Sequence, residues 1–164
     1  MHMRLRAFHV EVPGIERAVS FPHMGSPLLF ARSTGLKVWP GAVALAALMA
    51  NADEMSEAVR VMGHVMGKEV TWQGWRDMHV VEIGCGLALL SITAHRLGSA
   101  VVVATDGDKD LVAIAKKNLA CNSEEGNGAL MAHFLSWDDA LATKECLQLC
   151  KGRVDLVVLS DAVS

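Results

Sequence analysis

Apolar and polar positions follow two rhythms along the chain. In RLRAFHVEV, residues 4–12, Phe8, Val10 and Val12 share one face at period two, which predicts a strand closed by Gly14. PLLFARS, Pro27 to Ser33, predicts a second short strand before a Thr34-Gly35 turn. The two are expected to pair as an antiparallel hairpin. The period then lengthens. PGAVALAALMAN predicts a helix that starts at Pro40, whose ring suits the first helical turn, and ends at Asn51. A second helix is expected from Asp53 to Met66, with Asp53 as N-cap and Met55, Val59, Met62 and Met66 as a core stripe.

From His79 onward, continuous apolar runs alternate with helical stretches. HVVEIG predicts a strand, followed by a helix from about Leu87 to Leu97. AVVVAT predicts the next strand, with a helix from about Asp108 to Cys121 and a polar loop, NSEEGNG. ALMAHFL, a helix from about Asp138 to Cys150, and VDLVVLS complete the series. Strands and helices alternating at these lengths predict an α/β fold with a parallel sheet and right-handed crossovers. Strands so uniformly apolar are expected to be buried on both faces.

Composition narrows the class. A chain of 164 residues has room for one core but not two. With 52% hydrophobic and 20% charged residues it reads as globular, and a net charge of -3 gives no basic footprint for nucleic acid. The longest apolar stretch, Val38 to Ala52, is too short to span a bilayer and contains Pro40 and Asn51. The N-terminus lacks the apolar core of a secretory signal, so a cytoplasmic or nuclear location is expected, with no membrane partner. The four cysteines form no CxxC pair and the seven histidines no HExxH motif, so no metal site is expected and the thiols read as reduced and structural.

The chemistry gathers at VVEIGCGLALLSITAHRLGSAVVVATDGD, Val80 to Asp108. Here a strand ends in Gly84-Cys85-Gly86, a helix follows, and a second strand ends in Asp106. In open α/β sheets ligands sit at the carboxyl ends of strands where strand order reverses. Glycines there admit close approach of a ligand, and an acid 20 positions past Gly86 is placed to accept both hydroxyl hydrogens of an adenosine ribose. A dinucleotide needs a third glycine where Leu89 stands, and a phosphate loop needs a GK[ST] that is missing. S-adenosylmethionine lacks phosphates but has a sulfonium cation and a zwitterionic tail, for which Glu82 is a suitable neighbour. The alternative is that Glu82 caps a loop and Asp106 begins a turn.

Five segments together resemble one family. TGLKVWPGAVALA, VVEIGCGLALLSI, VVVATD, FLSWDD and VDLVVLSDAVS are similar to the seven-β-strand methyltransferases of family 16, non-SET protein methyltransferases that are mostly lysine-directed. The resemblance spans Thr34 to Ser164. It implies a Rossmann-like class I methyltransferase fold and S-adenosylmethionine as cofactor. It further implies that Trp39 borders the cofactor pocket, that Gly84, Cys85 and Gly86 lie under the methionine and ribose, and that Asp106 binds the ribose. Trp137 would stand beside adenine, Ser160 would be the small residue before the acid that follows strand four, and Asp161 would begin the family's Asp-x-x-Tyr motif.

Other roles remain open for several of these residues. Trp137 could be core and Trp39 could cap the sheet edge. Asp138 or Asp139 could accept from the adenine amino group or cap a helix. An unpaired Asp161 buried at a strand end would be costly, which favours a functional role. The motif here reads Asp161-Ala162-Val163-Ser164, with serine in the tyrosine position, and the chain has no tyrosine.

One methyltransferase domain is expected over 1–164, with a hairpin segment at 1–37, a helical lead-in at 38–78 and the cofactor-binding core at 79–164. The family sheet runs 3-2-1-4-5-7-6. This chain is expected to hold strands one to four, an incomplete sheet of order 3-2-1-4, with Val154–Ser160 as an uncovered edge open to self-association. The implied activity is N-methylation of a lysine on a protein substrate, with Asp161 orienting the amine. A small-molecule methyltransferase and an inactive binding module are the alternatives.

Overall fold

β3 (His79–Ile83), β4 (Val101–Asp106), β5 (Ala129–Phe134) and β6 (Leu156–Leu159) form a parallel sheet of order β5-β4-β3-β6 in a computed structural model that describes residues 8–21 and 34–161. The alternating pattern predicts a parallel sheet, and the order is the 3-2-1-4 that the family resemblance implies. β3 and β4 pair in register from His79 opposite Val101 to Ile83 opposite Thr105, and β3 pairs with β6 from Val80 opposite Leu156. The chain runs from β3 through β4 to β5 on one side and returns to β6 on the other side of β3, so order reverses between β3 and β6 and the glycine turn after β3 opens at the switch point.

The crossovers wind on both faces. α3 (Leu89–Arg96) and α4 (Lys109–Asn122) cover the face bearing Val80, Val102, Ala104 and Val158. α5 (Ala140–Leu149) covers the other face, where Cys146 and Cys150 pack on Val81, Val101 and Val103. Two-sided burial holds for β3 and β4, whose valines are at most 5% exposed. It fails at β6. Val157 and Leu159 continue the α5-side face past Val81 and Ile83, but they remain 47% and 55% exposed. The four thiols are unpaired, and burial raises those of Cys146 and Cys150, the latter to about 11.

The expected N-terminal antiparallel hairpin forms, but with a different second strand. β1 (Phe8–Val10) pairs antiparallel with β2 (Val19–Phe21), joined through a turn in which Gly14 has φ +84°; the expected partner at 27–33 lies outside the described residues. VSF is a period-two strand too, with Val19 and Phe21 fully buried and Ser20 pointing away from them. Asn122 of α4 ties it down, donating from Nδ2 to the Ser20 carbonyl at 2.9 Å. Arg96 donates to the Arg17 carbonyl and to Asn122 Oδ1.

α1 (Pro40–Ala50) and α2 (Ala52–Val65) meet at Asn51, which serves both helices. Its N–H closes α1 on the Leu48 carbonyl, and its side-chain oxygen accepts from the N–H groups of Asp53 and Glu54. Asn51, not Asp53, is therefore the N-cap of α2. The methionine stripe holds for one half of α2. Met55 and Val59 are buried, whereas Met62 and Met66 are 50% and 62% exposed because the distal turns extend past the core. Among the described residues, no helix is long and apolar enough to cross a membrane.

Candidate functional site

The carboxyl ends of β3, β4, β5 and β6 converge on a cleft of about 390 Å³. It is lined by Trp39, Glu82, Gly84, Cys85, Gly86, Asp106, Trp137, Ser160 and Asp161, all singled out from the sequence. These span 122 positions of chain (161 − 39), and the sheet order is what brings them together.

The glycine turn is fixed from two sides. Gly84 and Gly86 have φ +67° and +49°, which glycine adopts without steric cost. A Cβ on Gly86 would stand 2.5 Å from the Gly35 carbonyl oxygen, so the one-turn 3₁₀ segment Thr34–Leu36 lies directly on the turn. Below it, Cys85 N–H donates to the Thr105 carbonyl at 2.8 Å, and Gly86 N–H donates to Oδ2 of Asp106 at 3.0 Å. Asn118, fully buried in α4, donates to the Leu87 carbonyl as the chain leaves the turn. The helix begins at Leu89, two residues later than its apolar pattern predicts, because Ala88 takes the left-handed region at φ +70°.

Asp106 holds its carboxylate at the end of β4. Oδ1 accepts from Asp108 N–H and Oδ2 from Gly86 N–H, both at 3.0 Å. Each oxygen keeps acceptor capacity for a further donor, as a ribose diol requires. Asp106 therefore organises the turn, as the turn reading has it, and it still presents lone pairs to the cleft.

Glu82 is 4% exposed and aimed at the start of α3. Its Oε2 accepts from the Ser91 N–H at 2.9 Å and from the Ser91 hydroxyl at 2.5 Å. Burial pushes its carboxyl up to about 7, the Ser91 hydrogen bonds oppose the rise, and the nearby Asp106 charge adds to it. The capping alternative thus describes much of what Glu82 does, although it also lines the cleft. Ser91 was not singled out from the sequence. Its signal is a hydroxyl in the first turn of the helix that follows an acid-ended strand. Cys85 is buried and its thiol is raised well above the usual range, by desolvation first and by Glu82 and Asp106 second, so it is protonated and not a nucleophile.

Two tryptophans flank the opening. Trp137, in the loop after β5, is 61% exposed, and Trp39, just before α1, is 40% exposed. The core reading of Trp137 does not hold. The pair of acids after it divides cleanly. Asp139 caps α5, accepting from Leu141 and Ala142 N–H, while Asp138 lines the cleft.

At the β6 end, Ser160 donates its hydroxyl to Oδ2 of Asp161 at 2.7 Å, and Asp161 has φ +52°. Asp161 is exposed, which removes the argument for function from burial; its case now rests on facing the cleft. A Cβ on Gly41 would stand 2.5 Å from Asp161 Oδ2, so α1 starts against this carboxylate. Residues 162–164, including the serine in the tyrosine position, lie outside the described residues. No cluster of three potential metal ligands occurs among the described residues.

Comparison with known proteins agrees with this architecture. Segments of the chain are similar to ribosomal protein L11 methyltransferases. The identity is 46% over 44 residues with that of Thermotoga neapolitana, covering 27% of this chain and 17% of the relative. It is 49% over 43 residues with that of Acetivibrio thermocellus, covering 26% and 14%. It is 33% over 79 residues with that of Thermotoga petrophila, covering 48% and 25%. The matched segments thus span a quarter or less of each relative's length. The pattern described as lysine methyltransferase matches residues 30–164, most of the chain and all of the cleft. The chain belongs to the lysine methyltransferase family.

Proposed function

We propose that the cleft binds S-adenosylmethionine and that the protein transfers its methyl group to the side-chain amine of a lysine on a protein substrate. The observation that carries this reading is the charge around the glycine turn. Among the described residues, four aspartates (Asp106, Asp108, Asp138 and Asp161) and the buried Glu82 carboxyl line the cleft against one cation, Lys37. A pyrophosphate would meet repulsion on every side. A cofactor with a sulfonium and an ammonium group is complementary to such a lining, and so is an incoming lysine.

The residues present fit the cofactor. Gly84 and Gly86 offer a surface without Cβ atoms, Asp106 offers acceptors for two hydroxyls, and the exposed Trp137 ring offers a flat face for a purine. When bound, S-adenosylmethionine supplies a methyl group on positively charged sulfur. The remaining task of the protein is alignment and exclusion of water. Asp106 and Trp137 would fix the nucleoside. Asp161, oriented by the Ser160 hydroxyl, would accept a hydrogen bond from the amine and hold it toward the turn. The nearby cationic cofactor lowers the amine's pKa, which favours the neutral nucleophile. Trp39 would wall this end of the cleft from solvent.

Calorimetric titration of S-adenosylhomocysteine into the full chain tests the cofactor. Binding is expected, with no heat from NAD. Incubation of a cell extract with the protein and labelled S-adenosylmethionine tests the acceptor. Label recovered on lysine after protein hydrolysis supports the reading, and label only in small molecules overturns its substrate part.

A further inference from the structure

The segment from Gly35 to Gly41 forms a strap across the mouth of the cleft. At one end the Gly35 carbonyl rests on Gly86, and the Gly35 Cα faces Leu111 of α4. At the other end Gly41 meets Asp161 and Ser160 after β6. Lys37 lies between these anchors. It lines the cleft, its side chain is exposed, and it makes no hydrogen bond or ion pair among the described residues.

We propose that Lys37 is the docking cation for the α-carboxylate of the cofactor's methionine moiety, and so a determinant of which adenosyl sulfonium compounds the cleft accepts. This rests on the reading of the cleft as an S-adenosylmethionine site. With the purine at Trp137 and the ribose at Asp106, the amino-acid end runs back over Gly84–Gly86, beneath the strap. That end carries one negative group into a lining rich in acids, Asp106, Asp108, Asp138 and Asp161 among them. Among the described residues that line the cleft, Lys37 is the cation that can offset it. The ammonium and sulfonium groups, by contrast, find an acid at Glu82. Removing the carboxylate from the ligand, or the cation from the strap, should therefore be two ways of deleting one interaction.

The test is equilibrium binding to the full chain with two probes, S-adenosylmethionine and decarboxylated S-adenosylmethionine, which lacks only the carboxylate. Lys37→Gln is expected to weaken S-adenosylmethionine binding about tenfold, the size of one partly exposed charge-assisted hydrogen bond. It should leave the decarboxylated probe unchanged, and Lys37→Arg should restore most of the loss. The difference should shrink as salt is raised. Because the side chain is exposed, melting temperatures of the variants should match wild type. Equal effects of Lys37→Gln on both probes, or none on either, would overturn the role of Lys37 and leave the cofactor reading intact. Failure of the wild-type chain to bind either probe would overturn the cofactor reading and this role with it.

Discussion

Gly86 and Asp106 are joined directly: the N–H of Gly86 donates to Oδ2 of Asp106 at 3.0 Å. The turn after β3 and the acid ending β4 are thus a single unit, and a change at either one alters the other. Asp106→Asn should separate the two functions of the carboxylate only partly. The amide keeps one acceptor but turns a donor toward either Gly86 or Asp108, leaving an N–H without an acceptor, at about 1–3 kcal/mol. Both melting temperature and S-adenosylhomocysteine affinity should fall. A variant that loses affinity at unchanged stability would show that Asp106 does not organise the turn.

Gly86→Ala tests the strap. The added Cβ would meet the Gly35 carbonyl at 2.5 Å, and φ is +49°. Gly98 has φ +104° with nothing within 4 Å of an added Cβ, so Gly98→Ala reports backbone strain alone. Gly86→Ala should therefore be the more destabilising by about 1–3 kcal/mol, the usual cost of forced overpacking. Thermal melts of the pair read this directly, and equal losses would mean that the strap yields freely.

Glu82 sets a pH dependence. Its folded-state pKa of about 7 lies above the ordinary 4.5, so the folded protein retains a proton that the unfolded chain has released. Stability should therefore fall as pH rises from about 4.5 to about 7, by about 3 kcal/mol at most, and stay level above. Glu82→Gln should flatten this slope and melt higher than wild type at pH 8. A cation bound beside Glu82 would favour its ionised form, so affinity for S-adenosylmethionine should rise between pH 6 and 7.5 in wild type but not in Glu82→Gln. Parallel stability curves for the two proteins would contradict the assignment.

Trp137 is too exposed to support the core, at 61%. Trp137→Ala should leave the melting temperature near wild type and weaken S-adenosylhomocysteine binding by roughly 1–3 kcal/mol, the range for base stacking on an aromatic side chain. Unchanged affinity would place the purine elsewhere.

Pattern along the sequence determined the elements from β3 to β6, their parallel direction, the glycine turn and Asp106, while the strand order, Trp39, Trp137, Ser160 and Asp161 were legible through the family resemblance. Continuous apolar runs mark strands, which are covered on both sides at β3 and β4 though not at β6; glycines after an apolar run mark a close backbone approach, and an acid at the next strand end is readable from spacing. Tertiary structure decided what depends on distant partners. It chose Val19–Phe21 as the hairpin strand, because Asn122 and the core receive it. It aimed Glu82 at Ser91, and it gave the capping of α5 to Asp139 while leaving Asp138 to the cleft. It exposed Asp161 at a strand end that apolar patterning alone makes look buried. It also laid Gly35 on Gly86 and put Lys37 in the lining of the cleft. Local pattern fixes the period of an element because burial acts on each residue in turn. The direction of a polar side chain is set by whichever donor the fold brings within about 3 Å, and that donor lies far along the chain.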